Sequence, residues 1–67
     1  MTAMSDIPAA GDRPAIEAFL RAERAKTLSE TEWRFRMRGF GYAIRRTDLG
    51  VEVARLPRGE VLGTFAL

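Results

Sequence analysis

The spacing of apolar residues changes once along this chain, and the change limits the folds open to it. Ile16, Phe19 and Leu20 recur at i, i+3 and i+4, the period of an amphipathic helix. Beyond Ser29 the period falls to two. Trp33, Phe35 and Met37 alternate with Arg34, Arg36 and Arg38, and Phe40, Tyr42 and Ile44 continue the alternation with shifted parity. A helical stripe followed by alternating segments, within 67 residues, specifies an α+β domain with one core.

The helix is expected over residues 13–27. Asp12 can cap it, Pro14 is tolerated in a first turn, and Glu17 stands four residues before Arg21, the favourable order for an ion pair. Its apolar stripe is narrow, because Glu23 falls where the next apolar residue belongs. Residues 1–11, MTAMSDIPAAG, show neither period and are expected as a flexible leader ahead of a single domain over 12–67.

The alternation at 33–38 reads as a strand, with a tight hairpin or bulge at Gly39 where the parity shifts. A second helix over 30–38 is the rival, since Ser29 with Glu32 forms a capping box and Leu28 with Trp33 a hydrophobic staple. The strand is preferred because a helix would turn Phe35 about 200° away from Trp33 and expose an aromatic ring. Further on, Thr47-Asp48-Leu49-Gly50 reads as a hairpin turn, Val51 and Val53 as the next strand, and Pro57-Arg58-Gly59 as a second turn. Val61, Leu62 and Phe65 fall in the last strand, where Gly63 marks a bulge or a close neighbour. The expected architecture is an N-terminal amphipathic helix packed on a three- to four-stranded antiparallel meander. The exposed edges of so short a sheet favour pairing of two copies, so a homodimer is expected.

Composition narrows the function classes. The chain has no Cys and no His, which removes disulfides, thiolate or imidazole metal sites, and Cys or His catalytic pairs. The remaining carboxylates need a desolvating cleft that so small a domain rarely encloses, so neither an enzyme, a metal site nor a cofactor is expected. No window reaches the roughly 18 apolar residues of a membrane helix, and the N-terminus lacks a basic segment followed by an apolar run. A cytoplasmic protein with no membrane partner is expected.

Charge is unevenly distributed. Residues 1–32 carry four basic and six acidic side chains, net −2, and residues 33–67 carry seven and three, net +4. Arginine outnumbers lysine ten to one, but Ala, Arg and Gly make up 26 of the 67 residues, a bias toward GC-rich codons that empties the ratio of meaning. Placement is what counts. On a strand, Arg34, Arg36 and Arg38 would form a row about 6.5 to 7 Å apart, the spacing of successive phosphates, and a hairpin at Gly39 would set Arg34 opposite Arg45.

Arg38-Gly39-Phe40-Gly41-Tyr42 resembles the RNP1 strand of RNA-binding sheets, and Trp33, five residues before Arg38, has the spacing found in cold-shock domains. The resemblance implies that Phe40 and Tyr42 stack on successive bases while the arginine meets phosphate. It covers about ten residues. Ala43, Arg45 and Val51-Glu52-Val53 depart from those families, so neither is assigned. The same Phe40, Tyr42 and Ile44 also suit the core face of a half-buried strand. The leading expectation is therefore a small non-enzymatic module binding single-stranded DNA or RNA through Arg34, Arg36, Arg38 and Arg45, with Phe40 and Tyr42 stacking. The alternative is a protein-interaction or regulatory subunit whose arginine face meets an acidic protein, or whose edge strand extends another sheet.

Overall fold

The computed structural model describes residues 8, 9 and 11–67, so most of the expected leader, residues 1–7 and 10, lies outside the described residues. Two helices and a three-stranded antiparallel sheet follow in the order α1 (Arg13–Ala25), α2 (Glu30–Gly39), β1 (Tyr42–Thr47), β2 (Gly50–Arg55) and β3 (Glu60–Phe65). The domain is thus α+β. The sheet order is β1-β2-β3, a meander of three strands among the described residues rather than four.

In α1 the Asp12 carboxylate accepts from the Ala15 amide at 3.1 Å, which satisfies one of the amides a helix start leaves free. The helix stops at Ala25, two residues before the expected end. Ile16 and Leu20 face the core.

The strand expected at 33–38 is instead α2. Its start is held from both sides: the Ser29 hydroxyl accepts from the Glu32 amide at 3.1 Å, and the Glu32 carboxylate accepts from the Leu28 amide at 2.6 Å. Trp33 and Met37, one turn apart, are buried together, and Phe35 is left 71% exposed. The exposed ring that argued against a helix is therefore present. Two fully buried large side chains outweigh one exposed ring. Trp33 is only 1% exposed, and its indole N–H donates to the Leu20 carbonyl of α1 at 3.2 Å, so burial leaves no polar atom of the ring unpaired.

The parity shift at Gly39 is the end of a helix, not a hairpin. Phe40 and Gly41 donate back to the Met37 and Arg38 carbonyls at 3.0 Å each, and Gly41 takes the positive φ of 94° that reverses the chain into β1. The β1–β2 register pairs Ile44 with Val53 and Arg45 with Glu52 across the Asp48-Leu49 turn. Between β2 and β3 the register slips, since Val53 faces Gly63 but Ala54 faces Val61, which leaves Leu62 as the bulged residue. Both helices cover one sheet face, where Tyr42, Ile44, Val51, Val53 and Phe65 join Ile16, Leu20, Trp33 and Met37 in one core. The opposite face carries Ala43, Arg45, Glu52, Ala54, Val61 and Thr64, and no element covers it among the described residues.

Trp33→Ala should remove about 3 to 5 kcal/mol, comparable to the whole stability of a domain this small, and leave the chain largely unfolded by circular dichroism. Phe35→Ala should stay within about 0.5 kcal/mol of the parent in urea titration. A strand at 33–38 would make the two losses similar.

Candidate interaction groove

A helix at 30–39 redistributes the arginines. Residues four apart share a helix face, so Arg34 and Arg38 stand together with Thr31 and Phe35 on the side of α2 turned from α1. Arg36 lies on the other side of Trp33. There it donates to the Glu23 carboxylate of α1, which also accepts from Lys26 at 3.1 Å. Glu23 is buried, and the sequence position that seemed to interrupt the apolar stripe is an anchor point for α2. The Arg36 hydrogen bond holds its carboxyl below the ordinary 4.5, against the opposing effect of burial, and Lys26 lowers it further.

The other expected binding residues divide in the same way. Arg45 is on β1 and pairs with its cross-strand neighbour Glu52 at 2.8 Å. Tyr42 is 1% exposed, with its ring centroid 6.0 Å from that of Phe19 and its hydroxyl without a partner among the described residues, and burial pushes its pKa above 10.0. Phe40 is half-buried and packs edge-on against Phe19, with ring centroids 5.0 Å apart. The two rings proposed to stack on bases are thus held against α1. Arg46, not singled out from the sequence, bridges Glu30 of α2 at 2.6 Å and the Leu67 carbonyl at 2.6 Å, and it holds the Glu30 carboxyl below its ordinary value.

Arg34 and Arg38 remain exposed, and neither has a carboxylate partner among the described residues. With Thr31, Phe35, Ala43 and Ile44 they line a groove of about 360 Å³ between the outer face of α2 and strand β1. Its polar groups are cationic or neutral, and among the described residues no carboxylate lines it. Phe35, which the sequence pattern assigned to a sheet face, gives the groove an apolar ring. A second cavity of about 270 Å³ lies between Arg21, Arg24, Ala25, Trp33, Arg46 and Leu67. There Arg21 and Arg46 already bind Glu17 and Glu30, and Arg24 donates to the Thr27 carbonyl and hydroxyl. Among the described residues no cluster of acidic side chains is placed to hold a metal ion, and no helix is long and apolar enough to cross a membrane.

No family model matches the chain, and no match was found among curated proteins or solved structures.

Because the Glu23 carboxyl is held below 4.5, it contributes stability above that pH and loses it as the pH falls through the lowered value. Urea titrations from pH 7 downward should show stability falling on the acid side of about pH 4.5. Glu23→Gln should be less stable than the parent at pH 7 and have a shallower acid slope, with the remaining slope owed in part to Glu30.

Proposed function

We propose that this chain is a small, non-enzymatic binding module that docks an acidic segment of a partner protein in the groove between α2 and β1. The observation that carries the reading is the pair of exposed guanidiniums, Arg34 and Arg38, one helical turn apart beside the exposed Phe35 ring, in a groove that no carboxylate of the described residues lines. Guanidinium forks suit bidentate recognition of carboxylates. An aromatic ring next to two arginines supplies the residue types that anchor protein interfaces.

Nucleic acid would meet the same charges but a poorer surface. Strand-binding sheets add stacking on exposed rings, worth about 1 to 3 kcal/mol per base, to their phosphate contacts. Here Tyr42 is buried and Phe40 packs on Phe19, so Phe35 is the only ring beside the free arginines. Arg36 and Arg45 are engaged with Glu23 and Glu52. The cysteine-free composition suits a module working in the reducing cytoplasm.

Fluorescence anisotropy with two labelled probes tests this, one a short peptide alternating Glu and Val, the other an oligothymidylate, each at about 50 and 200 mM salt. The peptide should bind, and Arg34→Ala with Arg38→Ala should weaken it by about ten-fold while leaving urea stability within about 0.5 kcal/mol. Unchanged peptide affinity in the double variant removes the groove from the binding site. Tighter arginine-dependent binding of the oligothymidylate makes the partner a nucleic acid and overturns the protein-partner reading.

A further inference from the structure

The two edges of the sheet are not equivalent. At β3 the Arg13 guanidinium donates to the Thr64 carbonyl at 2.9 Å and lies 4.3 Å above the Phe65 ring. It fills the space beside Gly63, where any Cβ would collide with it at a φ of 145° that already favours glycine. An incoming strand would have to displace this clamp. At β1, by contrast, the hydrogen-bonded neighbour among the described residues is β2 alone. Thr47 and Gly50 flank a two-residue turn, so Thr47, Arg45 and Ala43 direct their N–H and C=O toward β2. Arg46, Ile44 and Tyr42 direct theirs outward, along the mouth of the groove that Ala43 and Ile44 line.

The groove of about 360 Å³ between the outer face of α2 and β1 opens beside this edge.

We infer that the acidic partner binds by strand addition, its segment becoming a fourth strand on β1 beneath the outer face of α2. This rests on the groove reading above and adds its geometry. One face of the added strand would meet α2. Arg34 and Arg38 are separated by a rise of about 6 Å along the helix. Side chains at i and i+2 of a strand stand about 6.5 to 7 Å apart. The segment recognised therefore carries acidic residues at every second position, with the backbone supplying hydrogen bonds and the alternate side chains the specificity. A second copy of this chain is a poor occupant. Its β1 would bring Arg45 and Arg46 already neutralised by Glu52 and Glu30, so it would offer Arg34 and Arg38 no free carboxylate.

Amide hydrogen exchange of the full chain, followed by NMR with and without saturating Glu-Val peptide, tests the inference. The Ile44 and Arg46 amides should slow by ten-fold or more on binding, while those of Ala43 and Arg45, already bonded to β2, change little. A peptide of the same composition with its glutamates in one block should bind at least five-fold more weakly. Arginine-dependent binding without slowing at Ile44 and Arg46 overturns strand addition and leaves the groove reading standing. No peptide binding at all overturns both. Slowing of the same two amides with rising protein concentration, in the absence of peptide, assigns the edge to a second copy and overturns the acidic-partner inference.

Discussion

The burial of Trp33 decides what the rest of the surface looks like. Its ring is closed in the core, and its single polar atom is paired with the Leu20 carbonyl, so the rotation of α2 about its own axis is fixed. Met37, one turn on, must then point inward, and Arg36 must turn toward α1, where Glu23 meets it. Thr31, Arg34, Phe35 and Arg38 are left on the far side. The candidate groove is a consequence of which residues the core took first. Tyr42 follows the same rule: once α2 delivers the chain to β1 through Gly41, its ring falls on the covered sheet face beside Phe19.

Charge is distributed by the same packing. Glu17, Glu23, Glu30 and Glu52 each lie within ion-pair distance of an arginine, and Asp12 and Glu32 are used on the helix starts. The net +2 of the sequence says little about where positive charge is free. Exposed pairs such as Arg21–Glu17 contribute little to stability. Their effect is to cancel charge locally, which leaves Arg13, Arg24, Arg34, Arg38, Arg55 and Arg58 without an ion-pair partner among the described residues, and of these Arg34 and Arg38 stand together on one helix face.

The sequence made the α+β class and the antiparallel meander legible where the signals are local. The Thr47–Gly50 hairpin follows from turn residues between alternating segments, and Gly63 marked both a neighbouring bulge at Leu62 and a close approach by Arg13. Residues 33–38 carry a strand pattern and fold as helix because period two and period 3.6 coincide over short stretches: positions 33 and 37 satisfy both, and only Phe35 separates them. The capping box at Ser29 and Glu32 was the stronger signal, since it names a helix start chemically, whereas an aromatic at one position can simply be left exposed. That single choice moved the candidate site. Arg34 and Arg38 were retained on a helix face instead of a strand, Arg36 and Arg45 went to ion pairs, and Phe35 entered the site unannounced. The Glu23–Arg36 pairing spans two elements, and no pattern within either element encodes it.

The open β1 edge calls for a physical reason, because unpaired edges invite unwanted pairing and small proteins usually close them. The chain covers the β3 edge: Arg13 passes beside Gly63, where no side chain stands in its way, and donates to the Thr64 carbonyl. Among the described residues the β1 edge has no such device, neither a proline nor a bulge nor a clamp, and its own arginines are drawn away to Glu52 and Glu30. What guards it is the pair Arg34 and Arg38, which suits a carboxylate-bearing strand better than the β1 of another copy, whose nearby carboxylates are already paired. A guard of that kind discriminates between partners where a steric one excludes them all, so the asymmetry of the two edges is intelligible if β1 is kept open for an acidic strand and β3 is not.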